Sequence, residues 1–272
     1  MRRWRPFLLF SVLAFGYAFL YLPIMSLIVY SFNESRLVTV WAGFSTKWYG
    51  ELIHNDQILS AASLSLQIAV INATGAVILG SLAGLVLARF GRFRGRTAFT
   101  TLITAPLVMP EVIIGLSLLL MFVAMENVIG WPGTRGMTTI IIAHLTFSTA
   151  YVTVVIQSRL SQMDVSIEEA ALDLGAKPAK VFFVITVPVI APALVAGWLL
   201  AFTLSLDDLV VASFVSGPGA STLPMVVYSS VRLGVSPQIN ALATIIVGIV
   251  TVAILIAGYL MHRQEKQRLK LQ

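Results

Sequence analysis

The sequence predicts an all-α, polytopic membrane protein with six transmembrane helices, and three observations carry that prediction. Of 272 residues, 58% are apolar or aromatic and only 11% are charged, against roughly 45–50% and 25% in soluble domains. Mean hydropathy is +0.91. Six segments reach the roughly 20 predominantly apolar residues that a helix needs to cross a hydrocarbon core of about 30 Å.

The predicted spans run over about 7–32, 60–88, 98–124, 138–158, 189–215 and 240–261, a single transmembrane domain across 1–272. The joints carry loop chemistry: Asn33-Glu34-Ser35-Arg36, the basic run Arg89 to Arg96, Trp131-Pro132-Gly133, Ser216-Gly217-Pro218-Gly219 and Ser236-Pro237. The first span follows Arg2-Arg3-Trp4-Arg5 and resembles the front of a signal peptide. Its apolar run outlasts the roughly 7–15 residues of such a leader and no A-x-A-like site follows, so it is read as an uncleaved helix. In span two, Ala76, Gly80, Gly84 and Ala88 recur every fourth residue. That small-residue stripe lets two helix backbones approach closely, and ordinary bundle packing is the favoured reading. Span three contains Pro106 and Pro110, which remove backbone donors and predict a bend.

Net charge is +6, and its distribution gives the orientation. Arg2, Arg3, Arg5, the four arginines of 89–96, Arg159, Lys177, Lys180 and the four basic residues of 263–270 fall on one side. Only Arg36, Lys47, Arg135 and Arg232 fall on the other. The positive-inside rule then places both termini in the cytoplasm, and the charge needs no nucleic-acid partner to explain it. With no cysteine, thiol chemistry and disulfides are excluded. His54, His144 and His262 show no ligand spacing, so no metal site is expected. His144, in span four, is read as a hydrogen-bonded packing residue in preference to a proton relay.

The stretch 161–188, between spans four and five, is long for a connection and helical in pattern. Ser166 and Glu169 have the S-x-x-E spacing of a capping box. Glu168 and Glu169 fall in the first turn, where the helix dipole favours anions. Ile167, Ala170, Ala171 and Leu174 line one apolar face. Gly175 supplies a left-handed stop, and Pro178 starts a second amphipathic segment through Val181, Phe182 and Ile185 to Pro188. A short helix with a small apolar face and an acidic shoulder predicts docking onto a protein. A lipid-surface helix would carry basic residues.

Three carboxylates fall inside predicted spans, where each costs at least roughly 2.5–3.5 kcal/mol at mid-membrane and so marks a pathway. Glu111 lies about 20 Å into span three counted along a straight helix, past the midplane. Asp207 and Asp208, in Ser205-Leu206-Asp207-Asp208, lie about 28 Å along span five. Neighbours on a helix point about 100° apart, so only one aspartate squarely faces a lumen. The other caps a helix break or meets a neighbouring subunit. Acids without a basic partner suit a cationic cargo; the alternative is that they bind water or backbone amides at an irregular helix end. Neutralising Asp207 and Asp208 together is expected to abolish uptake while assembly survives. In the first external loop, Trp41 is read as an interfacial anchor. Trp48, beside Glu51, stays open between anchoring and cation–π contact with an ammonium group.

Glu169-Ala170-Ala171, then Gly175, then Ile185-Thr186-Val187-Pro188 resembles the EAA loop of ABC-importer permeases, with valine where leucine is common. Further segments resemble bacterial polyamine importers of the putrescine or spermidine/putrescine kind. They include Ser31-Phe32-Asn33, Phe44 to Tyr49, Ala105 to Glu111, Ser205 to Asp208, and Phe214-Val215-Ser216-Gly217-Pro218-Gly219 continuing to Met225. The resemblance implies a type I ABC-importer permease fold in the bacterial inner membrane. It implies a heterodimer with a homologous permease, two ATPase subunits and a periplasmic polyamine-binding protein. It assigns ATPase coupling to Glu169, Ala170, Ala171 and Gly175, and the substrate pathway to Glu111, Asp207 and Asp208; Glu168 joins the coupling candidates by its place in the same helix turn, and Ser205 and Trp48 are further pathway candidates. Family members often carry aspartate where Glu111 stands. The chain has no G-x-x-x-x-G-K-[ST] phosphate loop and none of its lysines follows a glycine. It is therefore no ATPase, and ATP and magnesium belong to the partner. A stand-alone cation channel or secondary carrier is the rival from another class, and the EAA loop argues against it. A membrane-embedded enzyme would need a nucleophile–base pair or metal ligands, and neither is found. An iron, sulfate or thiamine importer would share the EAA loop but would not obviously call for the three acids.

Overall fold

The computed structural model describes residues 4–37, 40–234 and 236–270. Its elements are all helical: α1 (Trp4–Tyr30), α2 (Lys47–Ile53), α3 (Asp56–Arg89), α4 (Arg96–Val108), α5 (Glu111–Ile129), α6 (Met137–Gln162), α7 (Ser166–Asp173) and α8 (Pro178–Val181). A π-helical stretch (Phe182–Thr186) follows, then α9 (Val187–Leu206), α10 (Val210–Val215), α11 (Leu223–Leu233) and α12 (Pro237–Lys270). Among the described residues the only β contact is an isolated antiparallel bridge between Asn33 and Phe44. Among the described residues, five helical segments are long and apolar enough to cross a membrane: Leu9–Tyr30, Asp56–Arg89, Glu111–Ile129, Met137–Gln162 and Pro178–Leu206. The sixth predicted span, about 240–261, lies within α12 (Pro237–Lys270), whose described side chains include the apolar stretch Pro237–Val252.

Two compact units divide the chain, Met1–Leu59 with Val227–Gln272, and Ser60–Val226. In the first, Asn33 is fully buried and organises the loop after α1. Its Nδ2 donates to the carbonyls of Val40 (2.8 Å) and Leu37 (3.3 Å), and its Oδ1 accepts from the amides of Ala42 (3.0 Å) and Ser35 (3.3 Å). Asn55 Nδ2 donates to Gln238 Oε1 (3.0 Å), and Gln238 Nε2 donates to Glu51 Oε2 (2.9 Å). These bonds tie the region of α2 to the start of α12.

In the second unit α6 is the central helix. One core joins Ile114, Leu118 and Phe122 of α5 to Ile140, Ala143 and Phe147 of α6 and to Val211, Ala212 and Val215 of α10. The other joins Ala73 and Ala76 of α3 to Val152, Ile156 and Leu160 of α6 and to Ile190 and Ala201 of α9. The small-residue stripe of α3 lies against α6. A Cβ at Gly80 would stand 2.7 Å from Val152 Cγ1, and one at Gly84 would stand 3.2 Å from the backbone nitrogen of Gln157. Asn72 Nδ2 bridges Ser148 Oγ (3.0 Å) and the Ala201 carbonyl (3.1 Å), linking α3, α6 and α9.

Two predicted spans are broken. Span three separates into α4 and α5 because Met109 is held extended (φ −81°, ψ 137°) ahead of Pro110, as a residue before proline prefers. Pro106 stays inside α4, so only the second proline breaks the helix. Glu111 therefore opens a new helix, and a depth counted along one straight axis does not apply. Span five stops at Leu206 and resumes as α10 at Val210, with Asp207 and Asp208 in the gap. By contrast, Pro188 does not separate two helices. From Pro178 the chain stays helical to Leu206, widening to the π form one turn ahead of Pro188, which has no amide to offer the carbonyl of Val184.

Candidate functional site

The segment after α6 folds as the short helix α7, but its N-terminus differs from the predicted capping box. Ser166 is the first helical residue, no side-chain cap bond forms, and the amides of Glu168 and Glu169 both bond to the Val165 carbonyl. Asp164 takes the capping role by accepting the Ser166 amide at 3.0 Å. That amide, then the Ser166 hydroxyl, hold the Asp164 carboxyl below the usual aspartate value. At the other end Gly175 is left-handed (φ +83°). Ala176 N–H bonds to the Ala171 carbonyl and Gly175 N–H to that of Leu172, the paired pattern of a Schellman stop.

Glu169, Ala170 and Gly175 are exposed and Ala171 is half-buried. Leu174 is 90% exposed, and Ile167 and Leu172 are also open. Glu168 behaves differently from its neighbour. Its Oε2 accepts from Arg89 Nε at 2.8 Å, and its Oε1 accepts from Thr186 Oγ1 at 2.6 Å. Sequence reasoning grouped the two glutamates; the structure turns one outward and one inward.

The three acids of the predicted spans line one cavity of about 420 Å³ with Phe147, Tyr151 and Leu204. Glu111 and Asp207 are exposed. Asp208 is buried, and its oxygens are occupied. Oδ1 accepts from the Val211 amide (3.2 Å), and Oδ2 accepts from the Ala212 amide (2.7 Å) and lies 3.1 Å from His144 Nε2. His144, fully buried, places its Nδ1 2.7 Å from Ser205 Oγ. Asp208 thus has a basic partner, which reading its own span could not supply. Ser205, also buried, holds the histidine.

Helix ends explain why adjacent aspartates differ. Asp208 faces the free amides of α10, where a negative charge is favoured. Asp207 is the residue that closes α9, at the helix end carrying partial negative charge, so that charge and carboxylate reinforce one another. The arrangement holds one acid in place and presents two. Ile114, Phe147 and Leu204 give the cavity apolar walls, and Tyr151 adds an aromatic one. His144, Phe147 and Tyr151 are spaced i, i+3, i+7 on one face of α6, a signal present in the sequence but unused.

Trp48 belongs to the first unit and is 2% exposed. Its indole N–H donates to the Asn33 carbonyl (2.6 Å), and Lys47 Nζ lies 4.6 Å from its ring centroid. The ring already has a cation from its own chain over it. No group of three or more His, Asp or Glu side chains among the described residues is placed to hold a metal ion.

The sequence signature of the binding-protein-dependent transport system inner membrane component matches residues 76–270. The chain belongs to that family. Within it, 259 residues are 66% identical to the putrescine transport system permease protein PotI of Escherichia coli (strain K12), covering 95% of this chain and 92% of the relative. Identity is 43% over 249 residues to the spermidine/putrescine transport system permease protein PotC of the same strain, covering 92% and 91%. One solved fold that it resembles is a chain of a bacterial alginate ABC transporter in complex with an alginate pentasaccharide-bound periplasmic protein. There the TM-score is 0.72 at 16% identity, covering 94% of this chain and 92% of that one. The all-helical fold, with its several apolar helices, is thus shared with that chain at low sequence identity.

Proposed function

We propose that this chain is a permease subunit of an ATP-driven ABC importer that moves a polyamine, putrescine foremost, from periplasm to cytoplasm of a bacterium. The observation that carries the proposal is the cavity in which Glu111 and Asp207 are presented while Asp208 is pinned beside them. The names of the relatives, both polyamine system permeases, support the same cargo. A linear dication suits such a site: its ammonium groups meet carboxylates, and its methylenes lie against Phe147 and Leu204. At about 5 Å and an effective dielectric near 20, one ammonium–carboxylate contact contributes roughly 3 kcal/mol, so two exposed acids compensate much of the cation's desolvation.

In this reading all six predicted spans cross the inner membrane with both termini cytoplasmic, as the lysine and arginine placement requires. A homologous permease completes the pathway, and a periplasmic polyamine-binding protein delivers the cargo. Two ATPase subunits bind ATP and magnesium and dock on the exposed face of α7, at Glu169, Ala170, Ala171 and Gly175. The chain itself holds no cofactor. Closure of the ATPases moves α7 and alternates access to the acid-lined cavity.

The test is uptake of labelled putrescine and spermidine by vesicles that hold the full complex. ATP-dependent accumulation inside is expected. Flux through this chain alone without ATP would return the channel or carrier reading, and ATP-driven uptake of an anion in place of a polyamine would overturn the cargo.

A further inference from the structure

The exposed helix α7 is only 8 residues long, too short to be stable by its own hydrogen bonds. Its attachment is concentrated at Glu168. Arg89, the last residue of α3, donates through Nε to Glu168 and through Nη1 to the carbonyl of Leu160 in the last turn of α6 (3.0 Å). Thr186, 2% exposed and closing the π-helical stretch, donates to the other oxygen of Glu168. The carboxylate therefore joins α7 to α3 and the π stretch, and Arg89 extends the junction to α6. The exposures of the Arg89 and Glu168 side chains are 14% and 13%, so water screens the pair little.

The position of Thr186 gives this junction a reach beyond α7. Helix continues without a break from Thr186 to Leu206, and Asp207 follows at the cavity. Twenty residues of α9 make a rod of about 30 Å. At the near end of the rod lies the π stretch, a form in which helices change register at functional sites. A force on α7 thus has a direct, mostly buried route into the helix that ends at Asp207.

Resting on the proposed function, we infer that Arg89, Glu168 and Thr186 form an internal strut that converts displacement of α7 into movement of α9. Glu168 is then a positioning residue facing the bundle, and Glu169 is the acid left for the ATPase. Arg89 and Thr186 belong to the same device although they lie outside the docking helix.

The experiment uses the full complex in vesicles, with ATP hydrolysis and putrescine uptake measured on the same preparation. Thr186→Val removes the hydroxyl at nearly constant volume, and Arg89→Gln removes the charge. Each is expected to lower uptake per ATP hydrolysed at least fivefold with the complex assembled and basal hydrolysis kept. Thr186→Ser is expected to restore the wild-type ratio, and Arg89→Gln with Glu168→Gln to be no worse than either alone. A second readout does not depend on cargo. Because the chain has no cysteine, Leu209→Cys places a single thiol at the cavity. Its maleimide labelling rate is expected to change when the ATPases are held closed with a non-hydrolysable ATP analogue. Thr186→Val and Arg89→Gln are expected to blunt that change. Variants that keep the wild-type ratio and the wild-type labelling response overturn the strut. A wild-type labelling response that the variants lose, with no putrescine uptake, leaves the strut standing and overturns the cargo. No labelling response to nucleotide in the wild-type complex overturns the strut, while ATP-dependent putrescine uptake by that complex keeps the proposed function.

Discussion

Asp207 and Asp208 are adjacent in sequence, and the structure predicts that replacing one destabilises the fold while replacing the other does not. Asp208→Ala removes the acceptor for the Val211 and Ala212 amides at the start of α10, a cap whose loss costs about 1 kcal/mol and at most about 2. It also strips His144 Nε2 of its partner in a fully buried position, and an unsatisfied buried polar group costs roughly 1–3 kcal/mol. Together these give about 2–5 kcal/mol of destabilisation. Asp207→Ala touches an exposed side chain at a helix end and is expected to stay within about 0.5 kcal/mol. The assay pairs thermal unfolding of the purified complex, at one scan rate throughout, with putrescine uptake. Asp208→Ala should lower the unfolding midpoint and uptake together, and Asp208→Asn, which keeps an acceptor for α10, should fall between it and wild type. Asp207→Asn should lower uptake at least tenfold with the midpoint unchanged. An Asp208→Ala complex as stable as wild type would refute the assignment of Asp208 to holding α10 and His144.

Other consequences are local. Gly175→Ala meets no neighbouring atom but must hold φ +83°, at a cost of roughly 1–2 kcal/mol; faster hydrogen exchange over 170–176 is expected, with unchanged exchange in α6. Trp48→Phe leaves the Asn33 carbonyl without its indole donor, and a loss of about 1–3 kcal/mol is expected. Uptake by the Trp48→Phe complex should survive at a temperature where it remains folded, and complete loss there would assign the indole to the pathway. The depressed carboxyl of Asp164 contributes stability that is present above the unfolded aspartate value of about 4 and is lost as pH falls through the lower folded value. Hydrogen exchange in α7 should therefore be insensitive to this group between about pH 5 and 8 and rise in stronger acid, and Asp164→Ala should remove that acid dependence.

What the sequence made legible was local. Apolar runs located the helices, every-fourth-residue spacing located the face of α3 that meets α6, and Gly175 and Pro178 marked the stop and start around α7. What it hid depends on residues distant in the chain. No glycine or proline announces the break after Leu206; there Asp208 is held by His144, 64 residues away. Glu168 and Glu169 read alike until Arg89, 79 residues earlier, engages one of them. The S-x-x-E spacing suggested a cap at Ser166, but Asp164 was close enough to take the Ser166 amide, so the helix began at Ser166 itself. In span three the prolines signalled a bend, and the extended backbone at Met109 made it a separation.

Neutralising Asp207 and Asp208 together would now mix transport with folding, because Asp208 holds α10. The direct test of a cation pathway is ATP-dependent uptake of labelled putrescine by vesicles holding the full complex with Glu111→Gln and Asp207→Asn combined. Both side chains are exposed in the cavity, so assembly and unfolding midpoint should match wild type while uptake falls at least tenfold. Uptake at the wild-type rate from that complex would contradict the account.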